Sequence, residues 1–528
     1  MITIAELAGL FVAIALAVVI VPLVRWAARR VGLVDNPDQT RKLQTHAVAL
    51  GGGIGVLASC LIAYLLISAA DPQRYVGNAI QLRYLWIFLG AFALLVIGLI
   101  DDAIGLRGRQ KLLAQVLVVS ALVGVGTKIN VIGLFGHNID LGPLAFPLSV
   151  LWLLVAVNAL NLIDGADGMA STVGAIVLVG LGLLSALSGA SLNALLAFTL
   201  AGALLGFLVY NRPPATIYLG DAGSMMIGLF VGVLAAWSRH KEMTFLSSAP
   251  IAILALPLFD SSAAIIRRWL TGRSLYTTDR AHLHHLLQHR YGPVGMLWFV
   301  AGLCGLTTAS AVLATYLRMP WVAGLGLVGV LFILISSRSF GHAEANLLYR
   351  RAAGFAQSFT VSAKRAADGS QNRVVPLQGD GPWETVWEPL VQVAKSNGWS
   401  RIKIDIAMAW VHEGFHANWQ AMQMPEKADQ LNMSLPLFAH RSGERASVQI
   451  GRLQIVVPAD DRHVYERIGT LTDCLNDLAP EIDRIVASLE GDAAKPVSPA
   501  VARQPSPVIE DSVLLPTSGH AVELNSPV

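Results

Sequence analysis

An all-α polytopic membrane protein of about eleven transmembrane helices, followed by a C-terminal cytoplasmic α/β domain and a disordered tail, is the fold class that the sequence predicts. Three observations predict it. Of 528 residues, 54% are hydrophobic and only 14% charged, far from the roughly 25% charged of soluble proteins. The apolar residues fall into runs of membrane-crossing length. After Arg338 the runs stop, and a polar stretch with strand and helix periodicity takes over. The small net charge of +3 offers nothing to nucleic acid, so no such partner is expected. Cys60, Cys304 and Cys474 are too scattered for a disulfide framework or a zinc site.

A spanning helix needs about 20 mostly apolar residues. By that rule the spans fall at 3–24, 50–70, 82–100, 112–134, 146–163, 171–189, 191–209, 223–238, 248–266, 294–316 and 320–337. The first run, Ile2 to Val24, is long enough to span and lacks the pattern of a cleaved leader. Spans six and seven are separated only by Ser188-Gly-Ala-Ser191 and form a tight hairpin. Lys and Arg in short loops set orientation. One side carries Arg25, Arg29, Arg30, Arg41, Lys42, Arg107, Arg109, Lys111, Arg212, Arg267, Arg268, Arg273, Arg280 and Arg290. The other has Arg74, Arg83, Lys128, Arg239, Lys241 and Arg318. The richer side is expected to be cytoplasmic, with the N-terminus outside and the C-terminus inside.

The domains expected are a membrane domain at 1–338, a linker at 339–381, a soluble α+β domain at 382–490 and a disordered tail at 491–528. In the soluble domain a helix from Pro382 stops at Gly398. Arg401–Ala407, Asn432–Phe438 and Ser447–Val457 read as strands, and Glu466–Leu489 as a helix.

Four polar clusters share the cytoplasmic face: Asp101-Asp102, Asn158–Gly168, Asn211–Ser224 and Asp260–Gln288. Ionisable groups at a membrane edge are expensive to desolvate, so each is a functional candidate. On a helix Asn158, Asn161 and Asp164 recur every three residues and share a face. Asp101 and Asp102 can bind a cation or accept a proton. Asp221 lies between glycines before span eight, where a helix N-terminus favours phosphate. His282, His284 and His285 can hold zinc or donate to phosphate oxygens. With Arg280 and its neighbours so close, and no cysteine or HExxH pattern, an anion site fits them better. One reaction needs all of these groups together. A nucleotide diphosphate-sugar and a lipid phosphate meet at a bilayer surface, where acids, amides and cations supply positioning and charge stabilisation.

In this order the clusters resemble the polyprenyl-phosphate N-acetylhexosamine-1-phosphate transferase family, in its undecaprenyl-phosphate GlcNAc-1-phosphate transferase branch. The resemblance rests on Asp101-Asp102 with Gly105-Leu106 and Lys111, on Asn158-x-x-Asn161-x-x-Asp164-Gly-x-Asp167-Gly168, on Gly220-Asp-Ala-Gly-Ser224, and on His282-x-His284-His285. It covers residues 1 to about 340. It implies transfer of N-acetylhexosamine-1-phosphate from UDP-N-acetylhexosamine, with GlcNAc the expected sugar, to undecaprenyl phosphate. UMP is released and cell-envelope glycan synthesis begins.

The resemblance further implies a bacterial inner-membrane location among membrane lipid, with the active site and the C-terminal domain cytoplasmic and a homodimer allowed. Asn161 and Asp221 are then the Mg²⁺ ligands, with Mn²⁺ as a substitute. Asp101 and Asp102 sit by the lipid phosphate, Asp101 activating it. Asp164 orients the metal site or contacts the nucleotide. Lys111 and Arg280 bind substrate anions, Asp167 the uracil, and the three histidines the phosphate or sugar. The first loop departs from the family pattern, reading Arg41-Lys42-Leu-Gln44 with Ala47 and Ala49 where prolines are common; His46 stands nearby. The alternatives are a phospho-N-acetylmuramoyl-pentapeptide-type transferase and a transporter or flippase. The latter calls for ionisable groups near mid-span rather than at one surface.

Overall fold

In the computed structural model, residues 3–35, 47–75, 78–134, 137–237, 245–271, 283–337, 371–378, 382–408, 413–421, 425–426, 429–440, 447–458 and 464–493 are described. Among them, nine helices are long and apolar enough to cross a membrane. They include α1 (Ile4–Val31), α2 (Gly52–Ala70), α4 (Asn78–Ile104) and α5 (Gly108–Leu122), with the short α3 (Pro72–Tyr75) between α2 and α4. The rest are α6 (Ala145–Ile163), α7 (Met169–Leu187), α8 (Ser191–Asn211), α9 (Gly220–Trp237) and α12 (Leu283–Leu317). Shorter apolar stretches lie in α11 (Ala255–Thr271), which follows α10 (Ser248–Ile253), and in α13 (Pro320–Ser336).

Helix α9 is the axis of the bundle. Every residue from Ala222 to Trp237 is buried. In lipid, helices associate through close packing rather than through escape from water, and small residues allow that approach. Gly228 and Gly232 face α6 four residues apart: a Cβ at Gly228 would lie 2.6 Å from Val157 Cα, and one at Gly232 would lie 2.9 Å from Ala156 Cβ. Trp152 Nε1 closes the same contact by donating to Gly232 O at 2.9 Å. Outward faces carry exposed Phe11, Leu23, Leu65, Leu117 and Phe332, as a lipid-facing surface requires.

Three spans differ from expectation. The fourth starts at Gly108 and leaves α-helical geometry at Val123–Thr127, and the last residues of the predicted span form a strand, Val131–Leu134. Gly126, at φ +126, stops the helix there. The ninth breaks at Leu254 between α10 and α11, because Pro257 has no N–H to offer the Ile253 carbonyl. The tenth begins early, at Leu283, and kinks at Gly292-Pro293.

The C-terminal unit has a core of its own around Trp383, Trp387, Trp399 and Phe415, separate from that of the helical bundle. Five strands run antiparallel in the order Gln371–Gln378, Glu413–Gln420, Arg401–Met408, Ser447–Pro458, Gln430–His440. The helices Glu384–Ser396 and Val464–Ala493 supply apolar residues to the same core. Two strands correct the sequence reading. Gln371–Gln378 falls in the stretch expected to be linker, and its polar composition hides an edge strand paired to Glu413–Gln420. In Glu413–Gln420 itself the inward Phe415, Ala417 and Trp419 alternate with polar residues. The tail at 494–528 and most of the expected linker lie outside the described residues.

Candidate active site

Four helix termini converge at one end of the bundle. Asp101 and Asp102 lie in the last turn of α4, Lys111 in the first turn of α5, Asn161 in the last turn of α6 and Asp221 in the first turn of α9. The Lys111 ammonium is the centre of the group. Its Nζ lies 2.9 Å from Asp101 Oδ2, 2.5 Å from Asp221 Oδ2 and 3.3 Å from Asn161 Oδ1. Asn161 Nδ2 in turn donates to Asp221 Oδ1 at 2.6 Å and to Ser224 Oγ at 2.9 Å. The Leu106 N–H donates to Asp101 Oδ1 at 2.7 Å. The side chains are 16% exposed for Lys111, 11% for Asp101 and 33% for Asp221, so Asp221 is the more exposed of the two carboxylates on Lys111.

The adjacent carboxylates Asp101 and Asp102 point to different partners. Asp102 accepts from the backbone N–H groups of Asp221, at 3.0 Å, and Ala222, at 3.4 Å. It caps the free N–H groups at the start of α9, where a negative charge also suits the helix dipole. Asp102 thereby holds the residue that carries Asp221.

The loop after α6 lines the same region. Asp164 is the C-cap of α6, three residues beyond Asn161. Burial, followed by the charges of Asp221, Asp102 and Asp167, pushes its carboxyl well above the ordinary 3.8. Asp167 Oδ2 accepts from Ala215 N at 2.9 Å and ties this loop to the α8–α9 connection. In that connection Tyr218 is pushed up to about 12 by burial and by Asp167, Asp35 and Asp164. Its backbone pairs with the first loop: Tyr218 N donates to Ala49 O at 2.8 Å, and Gly52 N to Tyr218 O at 3.0 Å.

His284 reaches the loop from α12. Its ring packs so closely on Gly165 that a Cβ there would lie 2.3 Å from Nε2, which leaves room for glycine alone. His284 is 3% exposed. Next to it, Leu283 N donates to the buried Asp260 Oδ1 at 2.9 Å, which joins α12 to α11. Arg280, His282 and the first-loop residues 36–46, with His46, lie outside the described residues, as does the side chain of His285. Ser224 and Asp260, named in the sequence only as ends of polar clusters, support the site, and so does Gln115, which was not singled out. Gln115 could have been found from its spacing, one helical turn beyond Lys111.

Among the described residues no group of three or more His, Cys, Asp and Glu is arranged to hold a metal. The described residues alone do not form a cage built wholly from protein. Mg²⁺ instead uses one or two carboxylates and completes its shell with water and phosphate oxygens. The donors here fit that mode, since oxygens of Asp101, Asp221 and Asn161 already converge on one cationic group.

The chain matches the sequence profile of glycosyl transferase family 4 over residues 84–239, which hold Asp101, Lys111, Asn161 and Asp221. It is 34% identical over 272 residues to a Bacillus subtilis protein named probable undecaprenyl-phosphate N-acetylglucosaminyl 1-phosphate transferase, covering 51% of this chain and 73% of the relative. With the decaprenyl-phosphate N-acetylglucosaminephosphotransferase of Mycolicibacterium smegmatis it shares 31% identity over 342 residues, 59% of this chain and 83% of the relative. The undecaprenyl-phosphate alpha-N-acetylglucosaminyl 1-phosphate transferase of Escherichia coli K12 is 29% identical over 299 residues, 55% of this chain and 77% of that protein.

Proposed function

The chain belongs to the polyprenyl-phosphate N-acetylglucosamine-1-phosphate transferase family, and on that premise we propose that it moves GlcNAc-1-phosphate from UDP-GlcNAc to undecaprenyl phosphate and releases UMP. The observation that carries this reading is the convergence of Asp101, Lys111, Asn161 and Asp221 from four helices onto one point at the bundle end. Both substrates are anionic, and one is a lipid, so a cation-bearing cluster at a membrane edge suits their meeting. In this reading a lipid-phosphate oxygen attacks the sugar-bearing phosphorus, and the bond to the UMP oxygen breaks. Asp101 faces the lipid phosphate and takes any proton it carries on Oδ2. Lys111 Nζ donates to phosphate oxygens as charge shifts towards the leaving UMP. Asp167 and the neighbouring backbone of the α8–α9 connection are the proposed seat of the uracil. His284, packed against Gly165, lies beside the donor phosphates or sugar.

Asp221 and Asn161 would hold Mg²⁺, or Mn²⁺ in its place. When bound, the ion supplies charge neutralisation of the diphosphate and polarisation of the phosphorus. Asp164, whose carboxyl is pushed by burial well above the ordinary 3.8, would orient that metal site or contact the nucleotide.

We read the two shorter apolar helical stretches as crossings too, the first continued by α10. Together with the nine longer helices they complete an eleven-span topology. The excess of Lys and Arg in the loops at this end supports a cytoplasmic side for it and for the C-terminal domain, in a bacterial inner membrane. A donor labelled in the sugar and in the sugar-linked phosphate tests the reaction: both labels are expected in the lipid, with unlabelled UMP in the aqueous phase. Label that stays in water with every UDP-N-acetylhexosamine, while a muramoyl-pentapeptide donor is used, assigns the chain to the other branch.

A further inference from the structure

A second hydrogen-bonded layer lies one helical turn inside the site. Lys111 is followed by Gln115 at i+4 on α5, Asn161 is preceded by Asn158 at i−3 on α6, and Asp221 is followed by Met225 at i+4 on α9. Gln115 bonds to both of the others, as Lys111 does in the outer layer. Asn158 Nδ2 donates to Gln115 Oε1 at 2.9 Å, and Gln115 Nε2 donates to Met225 Sδ at 3.0 Å. We infer that the Gln115–Asn158 pair is a positioning device, which fixes the rotation of α5 and α6 about α9 so that Lys111 and Asn161 meet Asp221.

Two observations favour this over plain packing. Helix α5 lies at the rim of the bundle: Leu113 and Leu117, on its lipid-facing side, are 61% and 63% exposed. Among its first residues, from Gly108 to Val118, Gln115 alone is buried, with Val119 and Leu122 following deeper in. Gln115 is therefore the contact nearest Lys111 that can set the angle of α5. The second observation is one of magnitude. An interhelical hydrogen bond within a membrane contributes only a fraction of 1 kcal/mol on average, and Met225 sulfur is a weak acceptor. A methionine or leucine would fill the space as well. A directional amide pair adds a preferred rotation instead, which apolar contacts do not supply.

The rate readout of this inference rests on the proposed reaction, so the test pairs it with one that does not. Full-length wild type, Gln115→Met, Gln115→Glu, Asn158→Leu and the Gln115→Met/Asn158→Leu double variant are purified in detergent. Each is assayed for UMP release, and Lys111 acylation by an amine-reactive ester is quantified by mass spectrometry relative to the other lysines. An ammonium held between two carboxylates acylates slowly. The expected result is a kcat about 100-fold lower in Gln115→Met and in Asn158→Leu, with KM for both substrates nearly unchanged. Lys111 labelling rises several-fold. The double variant is no worse than either single one, and Gln115→Glu, which keeps the acceptor, recovers most of the rate. Unchanged Lys111 labelling in Gln115→Met and Asn158→Leu overturns the inference, whatever the rates. A wild type that makes no lipid-linked sugar overturns the proposed function instead, and the labelling still decides the role of the layer.

Discussion

At the scale of single residues the site turns on Lys111, whose ammonium lies between Asp101 and Asp221. Removing one member of a half-buried ion cluster leaves the others uncompensated, so Lys111→Met is expected to cost about 1–3 kcal/mol in thermal unfolding. It should also lower UMP release about 100-fold or more, while Lys111→Arg keeps a measurable rate. Asp164 gives a pH signature. Its pKa is raised on folding, so the stability linked to its proton is full below the ordinary 3.8 and drains away as pH rises towards the raised value. Asp164→Asn should therefore flatten the melting temperature of the cation-free protein over that window and raise it above the wild type at the upper end. A parallel pH profile in the two proteins contradicts this. The residue types and their four motifs were legible in the sequence, because amides and acids beside apolar runs stand out. The division of labour between Asp101 and Asp102 was not, since their partners lie on α5 and at the start of α9.

At the scale of elements, the site depends on how closely α9 approaches its neighbours. Gly228→Val would drive a side chain into Val157 backbone and is expected to cost about 1–3 kcal/mol. Activity should fall with it, because α6 carries Asn161 away from Asp221. Gly302→Ala in α12 meets nothing within 4 Å and should be neutral or stabilising by about 0.5–1 kcal/mol. Melting curves and UMP release on the two variants check both outcomes. The existence of the spans was legible from run length, whereas their interruptions at Gly126, Leu254 and Gly292 were not. A hydropathy window averages over about 20 residues and is blind to one residue's backbone angle or missing N–H. The break beside Gly292-Pro293 matters, since it separates the segment that carries His284 from the rest of α12.

At the scale of the whole molecule, the chain joins a helical bundle to a sheet domain with a separate core. A chain ending at Arg338 is therefore expected to insert in membranes and to retain activity within about threefold of the full protein, measured as UMP release per mole of protein. The sheet domain was legible where alternation was strong, as in Arg401–Met408, and missed in Gln371–Gln378, whose strand character depends on its partner Glu413–Gln420. The convergence of the four helix termini is likewise a property of the fold rather than of any one segment. It also carries the proposed chemistry, and Asp221, the more exposed of the two carboxylates on Lys111, is where a test bears on it most directly. Purified wild type and Asp221→Ala are incubated with Mg²⁺, undecaprenyl phosphate and labelled UDP-GlcNAc. Wild type should yield labelled lipid and UMP in equal amounts, and Asp221→Ala neither. Label in the lipid at comparable rates in both proteins would contradict the account.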